Sequence, residues 1–135
     1  MNISGTIIKD GKHYLASIPA LDALTQGTSK TNAMAMAVAW VRDILDRPDL
    51  PLVATATQDG FRLTTTEPAP IIALMLRRQR AAAGLSLADV AARLGSTSRN
   101  TYARYEQGRS VPTIDQLDRL LASVNPDRGG VALTC

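Results

Sequence analysis

Little in this chain is redox-active, aromatic or catalytic in character. It has one cysteine, Cys135, one histidine, His13, and an aromatic content of 4% over 135 residues. A single cysteine forms no internal disulfide, which excludes a stapled secreted scaffold and makes a reducing compartment, the cytoplasm, the expected location. His13 lies beside a turn with no serine, cysteine or acid cluster at nucleophile–base spacing, so hydrolytic triad chemistry is not expected. Apolar runs all fall short of the roughly 18 residues of a membrane span. The start, Met1-Asn2-Ile3-Ser4-Gly5, lacks the basic-then-apolar layout of a secretory signal. No membrane association, metal site, cofactor or catalytic residue is therefore expected.

Charge is present but unevenly placed. Residues 1–67 hold six Lys/Arg against seven Asp/Glu, whereas residues 68–135 hold nine Arg, no Lys and five Asp/Glu. The second half is thus basic and the first nearly neutral, which points to a polyanionic partner for the second half alone. The boundary falls at Thr64-Thr65-Thr66-Glu67-Pro68-Ala69-Pro70. Two prolines and a threonine run interrupt both helix and sheet ladders there, so this segment is expected to be a linker.

Before the boundary the pattern is α+β. Ile3 to Lys9 and Tyr14 to Ile18 flank Asp10-Gly11, a dipeptide that accepts the positive φ of a tight hairpin. Pro19 ends the second strand, and Leu24 to Gly27 is a short third. Residues 30–47 carry an apolar stripe at helical spacing, Ala33, Ala37, Trp40 and Ile44, with Thr28 or Ser29 as cap and Pro48 and Pro51 as stops. Trp40 is expected in the core. Two further strands, Leu52 to Thr57 and Phe61 to Thr65, surround Asp59-Gly60. One helix then covers one face of a sheet.

After the boundary the chain reads as helical. A first helix from Ile72 ends at Ala83-Gly84, and Ser86-Leu87-Ala88-Asp89 is a capping-box variant that opens a second, ended by Gly95. A third starts near Ser98 and stops at Gly108. A fourth starts at Thr113, with Ile114, Leu117, Leu120 and Leu121 expected inward. Two short helices joined by a few residues, the second polar at its start, is the arrangement that enters a DNA major groove. In the third helix Tyr102 and Tyr105 are expected to pack inward, leaving Arg99, Asn100, Ala103 and Arg104 outward. Arginine bonds guanine bidentately and asparagine does the same with adenine, and Ala103 lets the backbone approach the groove.

The segment Ala83-Gly84-Leu85-Ser86-Leu87-Ala88-Asp89-Val90-Ala91-Ala92-Arg93-Leu94-Gly95, followed by Tyr102-Ala103-Arg104-Tyr105-Glu106-Gln107-Gly108-Arg109 and Pro112, resembles the Xre/Cro/phage-repressor family of helix-turn-helix domains. The resemblance implies an all-α DNA-binding domain over residues 71–126. It puts base contacts at Arg99, Asn100 and Arg104, and phosphate contacts at Ser86, Ser96, Thr97, Ser98 and Arg109. It makes Arg80 and Glu106 a structural ion pair rather than DNA contacts. Leu87 stands where repressors often carry glutamine, so a phosphate contact from that side chain is not expected.

Residues 1–66, with the Asp10-Gly11-Lys12 hairpin, the Tyr14-Leu15-Ala16-Ser17-Ile18-Pro19 strand, the Leu24-Thr25-Gln26-Gly27-Thr28 stretch and a long helix, resemble the HicB antitoxin family. That resemblance implies a partial ribonuclease-H-like sheet, a HicA-like toxin as protein partner and double-stranded operator DNA as the second partner. It makes the chain a type II antitoxin that represses its own operon. The alternative is a free-standing Xre-family regulator whose first domain dimerises or senses a ligand. Nuclease chemistry is not expected, because Asp10 and Asp59 sit in turns, Asp43 and Asp46 share a polar helix face, and no acid falls at a strand centre. A homodimer or dimer of dimers is expected, since one recognition helix offers few base contacts.

Overall fold

The computed structural model describes residues 1–95 and 99–124, the side chains of Arg99 and Thr101 excepted. The chain divides into two compact units, Met1–Pro68 and Ala69–Cys135.

The first unit begins with a meander. Strand β1 (Asn2–Asp10) turns through Gly11 and pairs antiparallel with β2 (His13–Ile18), Ile8 facing Leu15 and Thr6 facing Ser17. A single 3-10 turn at Pro19–Leu21 leads to β3 (Ala23–Gly27), antiparallel to β2. Helix α1 (Lys30–Ile44) follows, then β4 (Val53–Ala56) and β5 (Gly60–Thr64). Strand β5 returns to the centre and pairs antiparallel with β1, so the sheet order is β3-β2-β1-β5-β4. Alternation sorts the side chains. Ile3, Ala16, Ile18, Ala23, Phe61 and Leu63 are buried on one face, while their sequence neighbours point outward.

Helix α1 covers the inner face through small residues. Its buried positions are Ala33, Ala37 and Val41, spaced four apart. The first turn sits directly on β3: a Cβ at Gly27 would meet the Ala33 Cα at 2.6 Å. So close a seat leaves no room for a large side chain beneath the helix. Trp40, expected in the core, is half-buried, and Met36 and Ile44 are exposed. The helix stops three residues short of the expected end. Asp46 takes a left-handed φ of 51° and the Arg47 amide donates to the Arg42 carbonyl, so the chain turns away before Pro48 acts.

In the second unit, α2 (Pro68–Ala82) starts inside the segment read as a linker. Both prolines fall in the first turn, where the missing N–H would have had no intrahelical partner and the fixed φ suits the helix. Residues Ile71 to Leu76 are buried around the whole circumference. Helices α3 (Leu87–Arg93), α4 (Arg99–Glu106) and α5 (Ile114–Val124) complete the unit. Helix α5 buries Leu120, Leu121, Ser123 and Val124, and the Arg93 guanidinium ties α3 to it by donating to the Ser123 carbonyl at 3.0 Å. Ile114, expected inward, is 63% exposed, because the buried contacts of α5 all lie in its C-terminal half. Among the described residues no helix is long and apolar enough to cross a membrane.

Candidate nucleic-acid interface

The second unit places two short helices in succession. Ser86 caps α3 reciprocally: its hydroxyl accepts from the Asp89 amide at 3.0 Å, and its own amide donates to the Asp89 carboxylate at 2.9 Å. Hydrogen bonding from the Ser86 amide first, and from its side chain second, holds the Asp89 carboxyl below the usual aspartate range. Both the amide and the side chain of Ser86 are therefore engaged by Asp89. Gly95, at φ 72°, turns the chain out of α3 with a backbone conformation that side-chain-bearing residues rarely take.

Helix α4 is the recognition-helix candidate. Asn100 and Arg104, four apart, are both exposed and share one face. Ala103 beside them is half-exposed, and Arg109, just past the helix, is exposed. The candidates Ser96, Thr97 and Ser98 lie outside the described residues, as does the side chain of Arg99, whose backbone opens α4. The sequence reading passed over Gln107. It is exposed one turn beyond Ala103, its amide bonded to the Ala103 carbonyl, and its amide side chain has the donor–acceptor pair that matches adenine. The four-residue step from Ala103 was the signal available.

The opposite face of α4 is buried and polar. Tyr102 is 1% exposed and Glu106 8%, whereas Tyr105 stands half-exposed rather than inward. The structure brings Arg80 and Glu106 together. Arg80 Nε donates to Glu106 Oε1 and Arg80 Nη2 to Oε2 at 3.2 Å, a two-pronged contact. The third nitrogen, Nη1, donates to the Leu85 carbonyl at 2.9 Å. One guanidinium thereby joins α2, the α2–α3 turn and α4. Hydrogen bonding to Glu106 raises the Arg80 pKa further above its ordinary value. The Tyr102 hydroxyl is buried and has no hydrogen-bond partner among the described residues. Burial first, and the Glu106 carboxylate second, hold its phenol protonated far above the usual range.

The described residues give a capped helix closed by Gly95 and a second helix held from behind by a buried ion pair, with amide and guanidinium groups outward. Residues 71–125 match the family model described as a helix-turn-helix domain. The second unit is thus similar to helix-turn-helix domains, an arrangement suited to entry into a DNA major groove. No curated protein matches the chain.

Among the described residues no three His, Cys, Asp or Glu side chains group as a metal site. In the first unit a groove of about 360 Å³ runs between the start of α1 and the β4–β5 turn. Ile7 and Met34 contribute apolar lining, with Lys30 and Asp59 among its polar residues.

Proposed function

We propose that this chain is the antitoxin of a HicA–HicB-like type II toxin–antitoxin module. Its sheet unit neutralises an mRNA-cleaving toxin, and its helical unit binds operator DNA and represses the operon. The observation that carries the DNA half is the outward pairing of Asn100 and Arg104 on a helix pinned from behind by Glu106 and Arg80. The family assignment within helix-turn-helix domains is Xre/Cro-like on this reading. Arg99, Asn100 and Arg104 address bases, and Ser86, Ser96, Thr97, Ser98 and Arg109 address phosphates. Gln107 joins the base-facing set.

The toxin half rests on the resemblance of residues 1–66 to HicB, together with a three-stranded meander followed by one covering helix, as in a reduced ribonuclease H sheet. The chain is taken to work in the cytoplasm and to supply no catalysis of its own. The test is co-expression of the tagged chain with its small neighbouring reading frames. Recovery of a small basic protein that is toxic alone supports the antitoxin. Recovery of the chain alone moves the assignment to a free-standing regulator. That second reading, with a sensing first unit, draws on the groove lined by Ile7 and Met34.

A further inference from the structure

The inner face of the sheet is not covered to its end. Alternation along β1 puts Ile7 on the same face as the buried Ile3, yet Ile7 is only half-buried. Ala56, paired with the inward Phe61, is exposed. Helix α1 begins only at Lys30, and the space between its first turn and the β4–β5 turn is the groove of about 360 Å³ described above. Clefts that take small molecules start at about 300 Å³. Ile7 and Met34 give this one apolar lining, and its two sides carry opposite charge: Lys30 and Thr31 at the start of α1, Asp59 in the turn. The positive side is more than one lysine. The Lys30 and Thr31 amides precede the first intrahelical bond, from the Ala33 amide to the Ser29 carbonyl, and no acidic residue in the first turn offsets the helix dipole. The negative side is held in place. The Thr57 amide closes the turn on the Gly60 carbonyl at 2.9 Å, and Gly60 lies too close to the Gly5 carbonyl to carry a side chain. Among the described residues neither Lys30 nor Asp59 forms an ion pair or a side-chain hydrogen bond, with the other or with any neighbour. Two uncommitted charges of opposite sign thus line one groove without meeting.

We propose that this groove binds a free α-amino acid with an aliphatic or thioether side chain. The inference rests on the second reading above, a sensing first unit, and names the class of ligand it senses. Charge does the selecting. A phosphate or other simple anion meets Asp59, and a simple cation meets Lys30 and the helix start, so each is opposed by one side of the groove. A molecule that carries both charges is opposed by neither. Its carboxylate accepts from the Lys30 ammonium and the first-turn amides of α1, as anions do at helix N-termini. Its ammonium donates to the Asp59 carboxylate, a charge-assisted bond. Its side chain covers Ile7 and Met34, which favours an apolar one, and the unbranched thioether of Met34 adapts to its shape.

The experiment is isothermal titration calorimetry of the full-length chain with L-leucine and L-methionine, in the absence of DNA or any protein partner. Saturable binding with a Kd of about 1 mM or tighter is expected for at least one of them. Glycine, which lacks the apolar side chain, is expected to bind more weakly by about tenfold or more. Lys30→Gln and Asp59→Asn are each expected to weaken binding by more than about tenfold, with folding followed by circular dichroism. Changes to the ligand cover a variant that fails to fold. Leucinamide lacks the carboxylate and 4-methylpentanoate lacks the amine, and both are expected to bind the wild type less well than L-leucine. Binding of 4-methylpentanoate is expected to lose nothing on Asp59→Asn. No saturable binding of either amino acid overturns the proposal, as does binding that glycine matches or that neither substitution weakens. A chain that binds L-leucine and also captures a toxin sustains the proposal and refutes the free-standing regulator. A chain recovered alone that binds no amino acid overturns the proposal and leaves that regulator standing.

Discussion

Replacing Glu106 by glutamine keeps the shape of the side chain and removes its charge. The wild-type carboxylate accepts two charge-assisted bonds from Arg80 while its side chain is only 7% exposed. Each such bond contributes about 1.5–3 kcal/mol net. The loss is tempered because Arg80 keeps its bond to the Leu85 carbonyl and, at 20% exposure, some contact with water. Glu106→Gln is therefore expected to cost about 2–4 kcal/mol, close to the cost of breaking a buried ion pair from one side. A small helical unit loses about 4–8 °C per kcal/mol, so its midpoint should fall by roughly 8–32 °C. Urea denaturation followed by far-ultraviolet circular dichroism measures this, and Trp40 fluorescence reads the sheet unit separately. A double-mutant cycle with Arg80→Met should return a coupling above about 1.5 kcal/mol. A loss under about 0.5 kcal/mol, the level of an exposed pair, refutes the argument that this contact holds α4 in place.

Four further outcomes follow from the geometry. Asn100→Ala and Arg104→Ala should each cost about 1–3 kcal/mol of operator affinity and relax base preference in a fluorescence-anisotropy titration. Arg109→Ala should weaken all sequences alike and flatten the salt dependence, which a titration at several ionic strengths detects. Asp89 has its folded pKa lowered, so its cap stabilises α3 above the ordinary aspartate range and is lost as pH falls through the folded value. Asp89→Asn should lower the melting temperature at neutral pH, with the gap to wild type closing on acidification. Gly5→Ala drives a methyl group into the Phe61 ring on the neighbouring strand and should destabilise the sheet unit by about 1–3 kcal/mol in chemical denaturation.

Secondary structure was legible in the sequence wherever local chemistry decides it. The Asp10-Gly11 hairpin, the Ser86–Asp89 cap and the Thr113–Gln116 cap, the last closed by reciprocal bonds of 2.9 and 3.2 Å, depend on residues a few positions apart. What depended on distance was not legible. Trp40 stands half-buried although it lies on the apolar stripe of α1, and nothing within the helix announces that. The two prolines of the boundary read as a break because proline interrupts a ladder, yet the same property suits a first helical turn, and α2 begins there. Of the site, the outward pair Asn100 and Arg104 followed from helical spacing. The pairing of Glu106 with Arg80 was legible only through the resemblance to the Xre/Cro/phage-repressor family, and Tyr105, expected inward, stands half-exposed.

The contact at Gly27 also divides α1 into two mechanical halves. Near its start the helix rests backbone upon backbone, where no rotamer change can relieve a displacement. Toward its end it rests on Val41 and on the Arg42 guanidinium, a long side chain that donates to the Leu50 and Leu52 carbonyls at 3.1 and 3.4 Å, while Ile44 is exposed. Amide exchange in α1 should therefore be graded, slowest where the helix touches the strand and fastest toward Ile44.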